Sequence, residues 1–477
     1  MSVPSFFSKF KMNIPAVFSK MSWKSPIKAQ YMRILAELVV VLYLLTLFAK
    51  INYYGSLKND QLFSTDGLVP FFRGEQAPSI DTTGKAVGYS TAPNDAPMVG
   101  NVNHKLNIFL VNTPNYHYEV FLPVIDSFKR IKNANITLIS TDGGMSKWGI
   151  RNAMDIARGE IPIVTTETVR PSQIGAVPDV VFLTTCPEDM RQLGASLDAF
   201  LIAGAHVVCI VHQAHLWDVD NVAQYTDEIA LMKPWIDRGQ WHFAALSRHV
   251  HTFIRVNFPK YLNTPDHVYR PLLFHPVFEY SAPENLDFNS NPFAVIPGKF
   301  ESERRNYAAV FNEYNRLNCD INLRLVGSGK IPEFSENLQS KIGFVTNLNF
   351  YEFFQEMSKG VAIIPTLGSE FYLKSQASST VATSLIAGTP LIASRKFMSA
   401  HSQIPMEAIW LQGEDETELE VLQRIGGLDP TVWKEKKDLV KNLRNNMIRD
   451  NVDRISHMLN TIATKYEKGY KRPSHAF

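Results

Sequence analysis

The chain has 477 residues, 45% of them hydrophobic and 20% charged, which are globular proportions and exclude a mainly disordered protein. This length exceeds one ordinary domain and predicts two or three. The net charge is +2, but residues 1–33 alone carry +6, so the rest of the chain carries −4. A body with a net negative charge gives no reason to expect nucleic acid as a partner.

An apolar segment follows the basic tail. Residues 34–51 are apolar except for Glu37, Thr46 and Lys50, and as a helix they span about 27 Å, close to the thickness of a thin bilayer core. We therefore expect a single transmembrane anchor of the signal-anchor type, with residues 1–33 cytoplasmic and the body luminal, in the ER or Golgi membrane. A cleaved signal peptide is the weaker alternative because no small-residue cleavage site follows. A buried soluble helix would find little to pack against.

Two α/β series follow a loop-rich segment. Residues 52–103 are rich in Gly, Pro, Asp, Ser and Thr and predict a stem. Apolar runs alternate with helical patterns over 104–280 and again over 281–430, and residues 431–477 are mainly of helix type. Such alternation predicts two doubly wound Rossmann-type domains facing across a cleft, with ligands beyond the carboxyl ends of the strands. The predicted strands are LNIFLVN, ITLIS, PIVTT, DVVFLTT, AHVVCIVHQ and FAALS, then FAVIP, LRLVG, IGFV, VAIIP and PLIAS.

The cysteines limit the covalent chemistry. Cys186, Cys209 and Cys319 allow at most one disulfide, and no Cys/His spacing typical of a metal site occurs. Asn135-Ile136-Thr137 is a glycosylation acceptor pattern, usable if the body is luminal.

Three segments of the second series suit a diphosphate or an attached nucleoside. A basic cluster follows the first strand in GKFESERRN, a glycine turn ends LVGSG, and the helix start SQASST offers hydroxyls and free backbone N–H groups. A solvated charged loop, an ordinary turn and a serine N-cap are the structural alternatives.

The order of these segments, with Gly388-Thr389-Pro390 behind them, resembles the C-terminal half of GT-B glycosyltransferases, in particular the large retaining group with a Gly-Thr-Pro motif. The resemblance implies that residues 431–477 pack back across the cleft. It also implies diphosphate contacts from the basic cluster and the helix start, and base or ribose contacts from the glycine turn. The expected donor-binding residues are Gly298, Lys299, Arg304, Arg305, Gly327, Gly329, Lys374, Ser378, Ser379 and Thr383.

The sequence departs from that group at one point. The group carries two glutamates eight residues apart, and the corresponding positions here are Ser375 and Thr383. Glu370 could reach the cleft from the preceding loop, with Lys374 as an additional cation. Either the branch has diverged or donor binding has decayed, and the persistence of the basic cluster favours divergence.

Histidines in the first series are the candidates for acceptor chemistry. His212 and His215 follow a strand, where a neutral imidazole could orient or deprotonate an acceptor hydroxyl. They and Glu370 are the predicted catalytic residues, although a packing or surface role is the alternative for each histidine. Asn112, Tyr116 and His117 follow the first strand as possible acceptor contacts.

Two acidic segments are weaker candidates for a functional site. Asp218-Val219-Asp220 has the form of a metal-binding Asp-x-Asp motif, but its place before a predicted helix indicates a chance match. Asp142-Gly143-Gly144 predicts a turn.

The sequence thus favours a membrane-anchored glycosyltransferase that moves a sugar from a UDP- or GDP-linked donor to a glycan or glycolipid hydroxyl. We expect no further cofactor and no bound metal. A catalytically inactive scaffold or partner subunit is one alternative, since the glutamates are missing. A GT-B-fold nucleotide-sugar epimerase is another, against which the anchor and stem argue.

Overall fold

The computed structural model describes residues 100–218, 220, 222, 224–281, 291–301 and 305–467, with side chains to residue 464. All of these residues fall in one compact unit. Within this part of the chain, no helix is long and apolar enough to cross a membrane. The predicted anchor over 34–51 and most of the predicted stem lie outside the described residues.

The first half of the unit is built on a parallel sheet of seven strands in the order β3-β2-β1-β4-β5-β6-β7. From β1 the chain adds β2 and β3 on one side, then returns and adds β4 to β7 on the other side. This is the doubly wound arrangement. The strands are β1 Gly100–Asn112, β2 Ile131–Ser140, β3 Ile163–Thr165, β4 Val180–Leu183, β5 His206–Val211, β6 Trp241–Ala245 and β7 Leu272–Leu273.

The second half repeats this plan on a parallel sheet in the order β10-β9-β8-β11. A parallel bridge between Ile363 and Leu391 joins it to the two-stranded sheet of β12 and β13. The strands are β8 Phe293–Lys299, β9 Asn322–Ser328, β10 Ile342–Thr346, β11 Ala362–Ile363, β12 Ile392–Ala393 and β13 Trp410–Leu411. The predicted α/β class with two parallel sheets is confirmed.

Helices occupy the crossovers between strands. In the first half they are α1 Tyr118–Lys129, α2 Asp142–Met145, α3 Ile150–Arg158, α4 Cys186–Leu193, α5 Ala195–Ile202, α6 Thr226–Asp237 and α7 Arg248–Tyr261. In the second half they are α8 Tyr307–Leu317, α9 Phe350–Lys359, α10 Phe371–Lys374, α11 Ser379–Ala387, α12 Arg395–Ala400, α13 Glu418–Gly426 and α14 Pro430–Glu467.

Burial on both faces explains the strand sequences. All six residues of β5, His-Val-Val-Cys-Ile-Val, are buried, as expected for a central parallel strand covered by helices on both sides. Local signals set the helix starts. Asn349 and Glu352 form a capping box on α9, and Thr417 and Glu420 form one on α13.

The long helix α14 connects the two halves. Near its start, the buried Lys437 Nζ donates to Ser358 O, Gly360 O and Thr389 Oγ1 in the second half. Further along, the Asn451 side chain accepts from His275 N and donates to His275 O in the first half. One helix therefore holds both sheets.

Several local features differ from the sequence-based expectations. β1 begins at Gly100, so it includes the last residues of the predicted stem, and Gly100 N donates to Arg130 O. Asp142-Gly143-Gly144 is not a simple turn but begins α2, whose N-cap Thr141 accepts from Gly144 N. β7 and β13, of two residues each, were not predicted.

Cys186, at the start of α4, and Cys209, in β5, form a disulfide with their Cα atoms 5.2 Å apart. Cys319 is free and buried. The disulfide joins the start of α4 to the neighbouring strand β5.

Candidate functional site

A cavity of about 730 Å³ lies where the carboxyl ends of the two sheets approach each other. Segments after β1, β4, β5, β6 and β7 form one wall, and the end of β8, the start of α11 and the segment after α12 form the other. This is the location that doubly wound sheets provide for ligands. A second cavity, of about 380 Å³, lies between α8, the loop after β11 and the start of α13.

A seam between the two halves closes one side of the large cavity. It consists of residues 212–215, after β5, and residues 375–377, before α11. Gln213 and Gln376 pair as an antiparallel bridge, Ala214 N donates to Ser375 O at 2.8 Å, and Ala377 N donates to His212 O at 3.0 Å. We call these residues the seam.

One end of the cavity offers positive potential. Lys299, at the end of β8, lines the cavity with a side chain that is 63% exposed and lies 3.2 Å from Glu301. Ser378 and Ser379 line it at the start of α11, and the Ser378 side chain makes no capping hydrogen bond. The first-turn amides of a helix lack intrahelical acceptors, so this start can bind an anion beside a cation.

A carboxylate–imidazole cluster lies opposite. His117 Nδ1 is 3.0 Å from Glu119 Oε1, and the rings of His117 and His212 stack with centroids 4.1 Å apart. All three residues line the cavity. His117 has a left-handed backbone, with φ of 63°, which is uncommon for a residue other than glycine and aims its side chain from the start of α1.

The surroundings of this cluster set its proton chemistry. Burial favours a raised pKa for the Glu119 carboxyl, but the hydrogen bond and charge of His117 outweigh it, so that the pKa is lowered. Burial, with His117 beside it, lowers the pKa of His212 to about 3. A neutral His212 donates Nε2–H to Thr184 O at 2.7 Å and keeps Nδ1 as an acceptor. In the same way, Nδ1–H of His117 donated to Glu119 leaves Nε2 as a base.

The other predicted residues after β1 divide between the cavity and its support. Tyr116 lines the cavity, and burial and the nearby Glu188 raise the pKa of its hydroxyl to about 12. Asn112 is fully buried, donates to Tyr116 O and accepts from the Thr184 and Thr185 hydroxyls. Asn112 therefore holds the loop that carries Tyr116 and His117.

His215 is part of the seam and does not line the cavity. Its Nδ1 lies 3.0 Å from Ser375 Oγ, and its ring stacks on Phe371 with centroids 4.0 Å apart. The structure thus uses one of the predicted catalytic histidines to join the halves. Ser375, which replaces the first glutamate of the resembled group, is its partner.

Glu370 and Lys374 also lie away from the cavity lining. Both Glu370 carboxylate oxygens accept from Lys396 Nζ at 2.8 Å on the exposed surface. The hydrogen bond from Lys396 lowers the pKa of Glu370, and the charge of Lys374 lowers it further. Neither residue is placed to contact a ligand in the cavity.

The glycines of the second half have packing roles. Gly298 and Gly327 are partners in β8 and β9, and a Cβ on Gly327 would lie 1.8 Å from Gly298 O. Gly329 packs against Phe300 in the same way. Arg305 folds back over Gly298, with its Nη1 3.4 Å from Lys299 O. Neither these glycines nor Arg305 lines the cavity, and Arg304 lies outside the described residues.

The Gly-Thr-Pro segment ends α11 and contacts neighbouring helices. Gly388 ends α11 with a left-handed backbone, φ 67°. Thr389 Oγ1 donates to Met357 O and accepts from Lys437 Nζ. Thr383, at the position of the second glutamate, is 5% exposed and does not line the cavity.

The predicted Asp-x-Asp residues contact each other, since Asp218 Oδ1 accepts from Asp220 N, and the Tyr261 hydroxyl bonds to Asp218. No group of three or more His, Cys, Asp or Glu side chains in the described ranges is arranged to hold a metal ion. The helix expected here begins later, at Thr226.

Several lining residues were missed by the sequence analysis. Glu119 had a usable signal, since it stands two residues after His117 at the start of a helix that follows a strand. The others come from separate parts of the chain and have no shared pattern. They are Glu188, Ser247, His275, Gln376, His401 and Gln403.

Comparison with solved structures relates this geometry to known proteins. A glycosyltransferase from Rickettsia africae superposes with a TM-score of 0.50 at 12% identity, over 76% of this chain and 98% of that one. The chain has the GT-B fold. The Anabaena protein HepE, solved with UDP and glucose, gives a TM-score of 0.48 at 11% identity, over 76% and 99% of the two chains. A UDP-N-acetylglucosamine 2-epimerase from Listeria monocytogenes gives 0.42 at 10%, over 78% and 99%.

No family model matches the sequence, and no characterised protein matches it by sequence. The GT-B fold was predicted from the residues of the second half, and it is confirmed.

The packing of Gly327 makes a testable prediction. Gly327→Ala places a Cβ against Gly298 O in the centre of the second sheet, so we expect it to lower the free energy of unfolding by about 3 kcal/mol. Gly343→Ala in β10 is the control, because its Cβ would meet Arg324 Cγ at an ordinary 3.7 Å. Chemical denaturation of the two purified variants gives the comparison. Equal stability of both variants would refute the packing role.

Proposed function

We propose that the protein is a membrane-anchored glycosyltransferase that moves a sugar from a nucleotide donor to a hydroxyl of a glycan or glycolipid. The observation that carries this proposal is that one cavity is lined both by groups suited to bind an anion and by groups suited to accept a proton. Lys299 and the start of α11 face the cavity from the second half, and the His117–Glu119 pair faces it from the first.

The donor side suits a diphosphate leaving group. The diphosphate of the donor already carries two negative charges and gains one more as its bond to the sugar breaks, and a cation and oriented amides stabilise that charge. Lys299 supplies the cation, and the amides at Ser379 and Thr380 supply the dipoles. This arrangement handles the leaving group with the chain's own residues, as expected for a metal-independent GT-B transferase.

The acceptor side suits removal of a hydroxyl proton. His117 Nε2, with Nδ1–H held by Glu119, takes the proton of the acceptor hydroxyl as the new glycosidic bond forms. The Glu119 carboxylate then stabilises the imidazolium. His212, stacked on His117 and hydrogen-bonded to Thr184 O, fixes the position of the His117 ring.

Three features support the proposed location. The basic tail 1–33 and the apolar segment 34–51 favour a type II anchor with the body in the ER or Golgi lumen. The disulfide between Cys186 and Cys209 suits an oxidising compartment. A glycan or glycolipid at that membrane is an acceptor within reach of the anchored body.

A scaffold without turnover is the second candidate, favoured by the burial of Thr383 where the resembled group has a ribose-binding glutamate. Donor binding without transfer to any acceptor would support it. An epimerase would convert the nucleotide sugar without an acceptor, so product analysis in the absence of acceptor separates that alternative.

Nucleotide binding gives the first prediction for this function. Lys299→Met removes the cation beside the start of α11, and we expect about a 10- to 100-fold loss of affinity for the nucleoside diphosphate. The measurement is isothermal titration of the detergent-solubilised full-length chain with UDP, GDP and their sugar conjugates. Lys374→Met is the matched control, because Lys374 is also in the second half but does not line the cavity.

Comparison of the two lysine variants shows whether the loss of affinity is specific to the cavity. Loss of affinity in Lys374→Met but not in Lys299→Met would contradict the assigned anion site. Failure of every nucleotide to bind the well-folded wild-type chain would reject the transferase and epimerase functions together.

Turnover gives the second prediction for this function. Glu119→Gln keeps the shape of the side chain but removes the charge that supports a protonated His117. We expect sugar transfer to slow by about 10²- to 10⁴-fold while the affinity for the donor stays within about twofold. The exposed Glu160→Gln is the control. Unchanged transfer in Glu119→Gln would remove the pair from the mechanism.

A further inference from the structure

Part of the cavity lining is not used by the reaction described above. It comes from four residues on two different halves. Ser247 follows β6, His275 follows β7, and His401 and Gln403 follow α12. We call these four residues the inner chamber.

The inner chamber contains hydrogen-bonding capacity that the protein leaves unused. Ser247 is 3% exposed, lines the cavity, and its hydroxyl has no hydrogen-bond partner among the described residues. The side-chain oxygen of Gln403 is likewise buried without a partner among them. Because a buried polar atom without a partner costs free energy, these atoms indicate a site for a polar ligand.

The inner chamber presents polar groups without a formal charge. Burial lowers the pKa of His275 and of His401 to about 3 each, so both rings are neutral at physiological pH. Arg248 and Arg454 lie near His275, but both are exposed and neither lines the cavity. Neutral donors and acceptors suit hydroxyl groups and leave a carboxylate or an ammonium group without a counter-charge.

The chamber is held in place from both halves. His249, in α7, has Nε2 3.0 Å from Gln376 O and Nδ1 3.2 Å from Ala400 O. His249 therefore lies against both the seam and the end of α12, directly before His401, and its single N–H donates to one of these two carbonyls. The chamber and the start of α11 line the same cavity, and Val381, Ala382 and Leu385 of α11 line it as well.

We propose that the inner chamber holds the transferred sugar of the donor and that it selects an uncharged sugar ring. This inference rests on the proposed function, because it takes the diphosphate to lie at Lys299 and the start of α11. Ser247 and Gln403 are then specificity-determining residues that bond the hydroxyls of the sugar. A sugar acid, whose carboxylate would lose its water here without gaining a cation, is excluded.

The test distinguishes the contribution of the sugar to binding from that of the nucleotide. Full-length protein in detergent is titrated with UDP and UDP-glucose, with GDP and GDP-mannose, and with the sugar acids UDP-glucuronate and GDP-mannuronate. We expect Ser247→Ala to weaken binding of the neutral sugar nucleotide about 3- to 10-fold and to leave binding of the nucleoside diphosphate unchanged. Ser399→Ala, an exposed serine of α12, is the matched control. In the wild type, the sugar acid is expected to bind at least 10-fold more weakly than the neutral conjugate.

Each other outcome overturns the inference in a recognisable way. Equal weakening of the diphosphate and its sugar conjugate in Ser247→Ala would place the nucleotide, rather than the sugar, in the chamber. No effect of Ser247→Ala, or equal affinity for neutral and acidic sugars, would reject the chamber while the proposed function stands. Absence of all nucleotide binding would reject the proposed function and this inference with it.

Discussion

The antiparallel pairing of Gln213 with Gln376 is the constraint on which the rest of the site depends. It makes the segment after β5 and the segment before α11 neighbours, through the hydrogen bonds of Ala214 and Ala377. Backbone hydrogen bonds define the register of two chains closely, so this pairing sets where α11 begins relative to His212. The placement of the start of α11 and of His212 around one cavity follows from that register.

Outside the seam, the halves are held by polar contacts to backbone atoms. Lys437 and Arg444 of α14 are buried, and each donates to main-chain carbonyls, Lys437 to Ser358 O and Gly360 O, Arg444 to Tyr280 O and Ile386 O. Buried polar side chains with this many hydrogen bonds are costly to displace. On the opposite side, Phe350 N donates to Trp148 O. The cavity is thus framed by directed bonds as well as by apolar packing.

Local patterns carried most of the fold prediction. Runs such as HVVCIV and FAVIP are buried on both faces, so their apolar character alone identified parallel strands. The site was harder to predict, because Gln213 pairs with Gln376 and the ring of His249 contacts that of His401 across more than a hundred residues, and no spacing encodes such contacts. His117 and Lys299 could be named from their places after strands. Gly327 and Thr389 matched a motif, but here they support strand and helix packing.

The most direct measurement of the central claim is hydrogen–deuterium exchange of the full-length chain with and without a bound nucleoside diphosphate. The account predicts slower exchange at the first-turn amides of α11, Ser379 and Thr380, and at the end of β8 around Lys299, since it places the diphosphate against Lys299 and the start of α11. Bound nucleotide with no change at α11, or protection confined to the smaller cavity between α8 and α13, would contradict it.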